Sequence, residues 1–251
     1  QSRILISEEG LMGAPSKLKL HLFDKYRRKS IVYLRPPADL VAAWAAEKCK
    51  PYNVFTDQLN DKDGIFSIEK GIKRMMYDYE ICMEKVIDVL NEFDLNDVIV
   101  RQYNYAKFKN ESLLRDFFSI FEIDVPIFDV ARVNVSPTRK YCDISYMVFS
   151  IVRELGVIEY YNHSLVDEIY KKCRSGDDRS VLNTLPDSTI EAICGRLKHI
   201  DQQFSDKFLS GREIFENRFP QIFHNERSDY APVDRSEVEY LTRIAINLRF
   251  I

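Results

Sequence analysis

Three apolar, strand-like segments of this 251-residue chain end in charged residues. Glu8 and Glu9 follow the segment at 3–7, Arg35 ends the segment at 31–35, and Arg101 to Tyr103 end the segment at 97–103. Ligands of open α/β sheets bind outside the carboxyl ends of the strands. An arginine at that edge binds phosphate through a charge-assisted fork, whereas pairing with Asp39 is an equally good interpretation of Arg35.

Helix-like segments separate these strands, which predicts a parallel sheet covered by helices, an α/β fold. One amphipathic helix is predicted from about residue 16 to 28. A longer one lies between the second and third strands, where apolar residues recur at intervals of three and four. These residues are Ile68, Ile72, Met75, Met76, Tyr79, Met83, Val86 and Leu90.

The second half of the chain is predicted to be largely helical. One helix is expected to follow an Asn134 or Ser136 cap and to end at Gly156, and another covers about 164–173. Ser188 and Glu191 form an S-x-x-E capping box before an apolar stripe, and a last helix begins near Ser236. We therefore predict an α/β core at 1–130 and a helical part at 131–251 that packs on the same domain.

Composition and charge exclude several classes of protein. A net charge of -3 gives no attraction to nucleic acid, so no nucleic-acid partner is predicted. Five widely spaced cysteines without a C-x-x-C pair favour reduced thiols and a cytoplasmic location. No apolar run reaches the length of a transmembrane segment, and the four histidines have no metal-ligand spacing, so no metal is predicted.

Four segments, taken in order, resemble a bacterial sulfotransferase-like family associated with polysaccharide and capsule modification. They are ILISEEGLMGAPSK, IVYLRPPADLVAAW, DVIVRQYNYAKFKNESLLRDFFSIFEI and IEAICGRLKHIDQQFSDKFLSGREIF. The resemblance covers nearly the whole chain and implies a P-loop-like sulfotransferase fold. It also implies transfer of a sulfuryl group from 3'-phosphoadenosine 5'-phosphosulfate to a glycan hydroxyl, with no metal.

The resemblance assigns roles to particular residues. Family members hold the donor's 3'-phosphate with an arginine matched by Arg35 and with a serine whose position is Ala43 here. Glu9 is the implied base for the acceptor hydroxyl, and Glu8 is the second choice; each is otherwise a surface residue at the turn. The position of Arg101 at a strand end, and not the resemblance, makes it a candidate for the donor or the acceptor side, with an ion pair at the sheet edge as an equal alternative.

The chain lacks the Pro-Lys-Ser/Thr-Gly-Thr loop with which such enzymes neutralise the 5'-phosphosulfate. Because Gln1 stands almost directly before a predicted core strand, we expect that loop to precede this segment. One alternative is a degenerate, non-catalytic sulfotransferase module of a polysaccharide-synthesis protein. Another is a glycosyltransferase, although no Asp-x-Asp follows a predicted strand.

Overall fold

The computed structural model contains a small parallel sheet and a majority of helix. It describes residues 28–54, 67–103, 108, 112–123, 136–176, 178–213, 215 and 230–248. Strand β1 (Ser30–Leu34) pairs in parallel with β2 (Val98–Gln102). The α/β class is therefore confirmed at this level, as are the second and third predicted strands. The predicted strand at 3–7 and, apart from Arg28, the helix at 16–28 lie outside the described residues.

Helices account for most of the remaining described residues. In the first half they are α1 (Pro37–Lys48), α2 (Ile68–Leu90) and α3 (Leu113–Ser119). In the second half they are α4 (Arg139–Glu154), α5 (His163–Lys172), α6 (Val181–Thr184), α7 (Asp187–Phe208) and α8 (Arg235–Asn247). None of the helices within the described residues has both the length and the apolar composition needed to cross a bilayer.

The two longest helices bury the apolar stripes that predict them. All eight stripe residues of α2 are buried, from Ile68 to Leu90. On α7 the stripe from Ile190 to Phe204 is likewise buried, and Phe208 is half-buried at the end of the helix. This spacing places each stripe along one side of its helix, so the burial of these side chains stabilises the helices against their neighbours.

Two predicted helix starts are wrong. In each case a neighbouring residue accepts the hydrogen bonds of the first backbone N–H groups of the helix. Thr138, and neither Asn134 nor Ser136, caps α4 by accepting a hydrogen bond from the backbone N–H of Tyr141. Helix α7 begins at Asp187, so Ser188 lies inside its first turn. There the carbonyl of Pro186 accepts the backbone N–H groups of Thr189 and Ile190.

The described residues form two compact units whose segments alternate along the chain. One unit contains both strands, residues 76–123 where described, and 194–215 where described. In the other unit α4, α5 and α8 pack on one another. The buried centre of that helical unit is made of Ile144, Val148, Ile151, Val152, Leu165, Val166, Ile169, Val238, Ala245 and Ile246.

Candidate anion-binding site

Arginine and tyrosine alternate on one side of the two-stranded sheet, at its carboxyl end. Tyr33 of β1 is in register with Arg101 of β2, and side chains of paired residues point to the same face. Two residues further along each strand come Arg35 and Tyr103, which the period of two places on that face again. We call this set of four residues, Tyr33, Arg35, Arg101 and Tyr103, the strand-end face.

Arg35 rests on an aromatic ring. Its guanidinium carbon lies 5.3 Å from the centroid of the Tyr103 ring, within the range of a cation–π interaction. The backbone N–H of Tyr103 donates to the carbonyl of Leu34 at 2.6 Å, which extends the ladder past the last paired residues. The backbone therefore holds Tyr103 beside the residue that follows β1.

A buried carboxylate fixes the other tyrosine. The hydroxyl of Tyr33 donates to Oδ2 of Asp116 at 2.7 Å, and Asp116 is buried in the first half of α3. Burial, followed by the hydrogen bond to Asp116 and the charge of Asp116, raises the pKa of Tyr33, while the charge of Arg101 opposes this shift. Tyr33 is thus a neutral donor at ordinary pH.

Phe108 connects the two tyrosines. Its ring is buried and meets Tyr33 edge-on at 5.8 Å between centroids and Tyr103 edge-on at 5.4 Å. Edge-to-face pairs at these distances are the favoured aromatic geometry. A continuous row of contacts consequently runs from Asp116 through Tyr33, Phe108 and Tyr103 to the guanidinium of Arg35.

Arg101 differs from Arg35 in its surroundings. Its side chain is exposed, and it makes no ion pair or hydrogen bond with any residue that the structure describes. It stands diagonally opposite Arg35 on the strand-end face. The two arginines lie on neighbouring strands and are offset by two residues, so they place two positive charges on one face, and guanidinium groups are suited to bind phosphate or sulfate.

A small recess lies in the same unit, next to the prolines that follow Arg35. Pro36 and Pro37 line it together with one side of α7, where Cys194, Lys198 and Asp201 recur at helical spacing, and with Phe215. The hydroxyl of Tyr79 donates to Oδ1 of Asp201 at 2.9 Å. In the described ranges, no three His, Cys, Asp or Glu side chains converge as ligands of a metal ion would.

The residues predicted from the sequence are only partly brought together. Arg35 and Arg101 share the strand-end face; Ala43 is half-buried on α1 and belongs to the other unit. Glu8 and Glu9 lie outside the described residues. Comparison with protein-family models, curated proteins and solved structures finds no match to this chain.

Sequence reasoning placed Tyr103 at this edge only as the last residue of the third strand-like segment, and it missed Tyr33, Phe108 and Asp116 as parts of the site. The two tyrosines had a usable signal, because Tyr-Leu-Arg spans the end of β1 and Arg-Gln-Tyr spans the end of β2. In parallel register those two triplets bring each arginine beside a tyrosine of the other strand. Phe108 and Asp116 come from segments after β2, and no local spacing relates them to β1.

Proposed function

We propose that the strand-end face binds the 3'-phosphate of 3'-phosphoadenosine 5'-phosphosulfate, and that the protein takes part in sulfuryl transfer to a glycan hydroxyl. The observation that carries the proposal is the diagonal pair of arginines, Arg35 and Arg101, at the carboxyl edge of a parallel sheet. The order of the four sequence segments that resemble sulfotransferases, and the P-loop-like fold they imply, support the same conclusion.

The chemistry of the two arginines suits the extra phosphate of this nucleotide. A guanidinium presents five N–H donors in a rigid plane and binds a phosphate through two parallel hydrogen bonds. Ala43 has no hydroxyl to contribute in place of the family's serine. In this proposal Arg35 is therefore the main ligand of the 3'-phosphate, and Arg101 adds the second positive charge.

Sulfuryl transfer itself needs one more group. The oxygen of the acceptor hydroxyl attacks sulfur, and the bond from sulfur to the bridging oxygen breaks. The electron pair leaves with the 5'-phosphate of the nucleotide. The hydroxyl proton must pass to a base, for which the resemblance implies Glu9. The arginines take no part in that proton transfer; they bind and orient the donor.

Calorimetric titration with 3'-phosphoadenosine 5'-phosphate, the nucleotide product, tests the proposal. Removal of a charged hydrogen-bonding partner costs about 1.5–3 kcal/mol, so we expect Arg35→Ala to weaken binding about 10- to 100-fold. Arg101→Ala is expected to weaken it less, because a single exposed charge contributes less than a bidentate ligand. Both variants are compared with the unaltered chain at the same ionic strength.

Arg196→Ala is the matched control. Arg196 belongs to the same unit and is exposed, but its guanidinium is bound to Glu80, with Nε to Oε1 at 3.1 Å. Arg196→Ala removes the same charge and leaves the four residues of the strand-end face unchanged. We expect its affinity for the nucleotide to be nearly unchanged. Absence of measurable binding to the unaltered chain, or equal losses in Arg35→Ala and Arg196→Ala, would refute the assignment.

A further inference from the structure

We propose that Cys49 and Cys142 are a dithiol pair which a hydroperoxide converts into a disulfide, and that this bond reversibly locks the end of α1 to α4. Both cysteines are free and fully buried, and both belong to the helical unit. The inference concerns this unit alone and does not depend on the proposed function.

Cys49 lies directly after the last residue of α1 and packs on one side of α4. Its sulfur is 3.1 Å from the hydroxyl oxygen of Tyr146, and its carbonyl accepts a hydrogen bond from the hydroxyl of Ser145 at 2.6 Å. Residues three and four apart share one side of a helix, so Cys142 lies on the same side of α4 as Ser145 and Tyr146. These contacts place Cys49 against the position of Cys142.

The two thiols also meet at the last turn of α1. The thiol of Cys49 donates to the carbonyl of Ala45 at 3.2 Å, and Sγ of Cys142 lies 4.0 Å from the carbonyl oxygen of Ala46. A hydrogen bond with the Cys49 thiol, followed by burial, raises the pKa of the Cys142 thiol. The two sulfur atoms are therefore neighbours in the interior of the unit.

Burial protects the reduced pair, so oxidation requires a local opening of the fold. Cys49 lies where such an opening costs least. Its backbone N–H donates to the carbonyl of Ala46, three residues back, so the regular helix has already ended there. Because helix ends fray more readily than helix centres, we expect Cys49 to be the thiol that first reaches the oxidant.

The chemistry then takes two steps. The thiolate of Cys49 attacks one oxygen of the hydroperoxide, an S–O bond forms as the O–O bond breaks, and the departing alkoxide takes a proton and leaves as an alcohol. After the helix end closes, the sulfur of Cys142 attacks the sulfenic acid of Cys49. The S–S bond forms, the S–O bond breaks, and the hydroxide leaves as water with the proton of Cys142. A small thiol reverses the reaction by exchange.

Cys173 provides an internal contrast. Its sulfur lies 3.4 Å from the hydroxyl oxygen of Ser175 and 3.4 Å from Oε2 of Glu237. A hydroxyl and a carboxylate cannot close a disulfide with the sulfenic acid that oxidation would form there. We therefore expect no cross-link between Cys173 and either member of the proposed pair.

Peptide mapping by mass spectrometry tests the proposal on the unaltered chain. The folded protein is treated with hydrogen peroxide, its remaining thiols are alkylated, and it is digested without reductant. We expect a cross-linked peptide that joins Cys49 to Cys142 and that disappears after dithiothreitol. Recovery of both residues as alkylated thiols, as unlinked sulfinic acids, or in cross-links to other cysteines would overturn the proposal.

Thermal unfolding measures the lock itself. A disulfide that closes a long loop stabilises the fold, so we expect peroxide treatment to raise the unfolding temperature by about 5–10 °C. Cys142→Ala should abolish this rise, whereas Cys82→Ala, at a half-buried cysteine of α2, should keep it. An equal rise in Cys142→Ala and the unaltered chain would contradict the lock. If Cys142→Ala does not fold, the peptide map of the unaltered chain decides alone.

Discussion

Two cations at the start of α4, in the helical unit, are bound by carboxylates and a carbonyl of the fold. At the start of α4, Arg139 donates from Nε to both oxygens of Asp143, at 3.1 and 3.2 Å, and from Nη2 to Glu69 at 3.1 Å. The next residue, Lys140, is buried and donates from Nζ to the carbonyl of Cys173 at 2.9 Å. Both side chains are therefore engaged within the helical unit.

Arg101 of the strand-end face has different surroundings. Its side chain is exposed and has no ion pair with a described residue. The contrast separates arginines whose surroundings give them a structural role from an arginine to which the proposed function assigns a binding role. Substitutions in the two regions should therefore affect different properties, stability in one and ligand affinity in the other.

Arg139→Ala is expected to have the largest effect. The substitution leaves Asp143 largely buried without its arginine partner. Burial raises the pKa of the Asp143 carboxyl, and Arg139 opposes that shift. We expect the free energy of unfolding to fall by about 3 kcal/mol, as for other broken buried pairs, in urea titrations followed by circular dichroism.

Arg153→Ala is the control for this substitution. Arg153 lies on the same helix, is exposed, and has no side-chain partner within the described part of the chain. Its loss should change stability by no more than about 0.5 kcal/mol. Equal effects of the two substitutions would contradict the structural role of Arg139.

Glu237→Gln is expected to have the next largest effect on stability. The carboxylate of Glu237 accepts the backbone N–H groups of Arg174 and Ser175, at 2.8 and 3.0 Å, and thereby fixes the loop after α5. An amide keeps only one acceptor oxygen, so we expect a loss of about 1–2 kcal/mol by urea unfolding. Glu239→Gln, which removes only an exposed pair with Arg243, should cost about 0.5 kcal/mol or less.

The carboxylate of Glu237 should also make the stability of the protein depend on pH. Hydrogen bonds from Ser175 and from the backbone N–H of Arg174 hold the pKa of Glu237 down to about 2. Because the unfolded value is about 4.3, its stabilising contribution is complete above that pH and is lost as the pH falls toward 2. Thermal unfolding between pH 6 and pH 2 should therefore decline less steeply in Glu237→Gln, and identical slopes would argue against this anchor.

Tyr33→Phe tests the link between β1 and α3 with a smaller change. It removes the hydroxyl that donates to buried Asp116 but keeps the ring contact with Phe108. We expect a loss of about 1 kcal/mol in the free energy of unfolding. Tyr77→Phe, at an exposed position on α2, should leave stability unchanged. A similar loss of stability in Tyr77→Phe would contradict a specific contribution of the Tyr33–Asp116 hydrogen bond.

Arg101→Ala should have the smallest effect on stability. Its exposed side chain has no ion-pair partner among the described residues, so its loss should shift the free energy of unfolding by no more than about 0.5 kcal/mol. A loss of stability as large as that of Arg139→Ala, in the same urea titration, would show that Arg101 is a structural cation. It would contradict the distinction drawn between Arg139 and Arg101.

The sequence is informative about elements whose residues interact at short range. Apolar residues at intervals of three and four predict α2, because a helix that buries one side needs this spacing. Continuous apolar runs predict β1 and β2, because a buried strand needs apolar residues on both faces. Helix caps were predicted less well. The start of α4 depends on Thr138. At the next residue, the backbone N–H of Arg139 donates to the carbonyl of Arg179, which is forty residues away in sequence.

The strand-end face could be predicted only in part. Two arginines at strand ends are visible in the sequence, but their alternation with Tyr33 and Tyr103 depends on the register of two strands separated by a long helix. The supporting contacts of Phe108 and Asp116 depend on tertiary packing alone. Patterns along one segment carry no information about such partners.

A thermodynamic cycle on Arg35 tests the central claim most directly. Binding of 3'-phosphoadenosine 5'-phosphate and of adenosine 5'-phosphate, which lacks the 3'-phosphate, is measured by calorimetry with the unaltered chain and with Arg35→Ala. If Arg35 binds the 3'-phosphate, the unaltered chain prefers the bisphosphate by at least about tenfold, and Arg35→Ala loses most of that preference. A preference of the same size in both proteins would contradict the account.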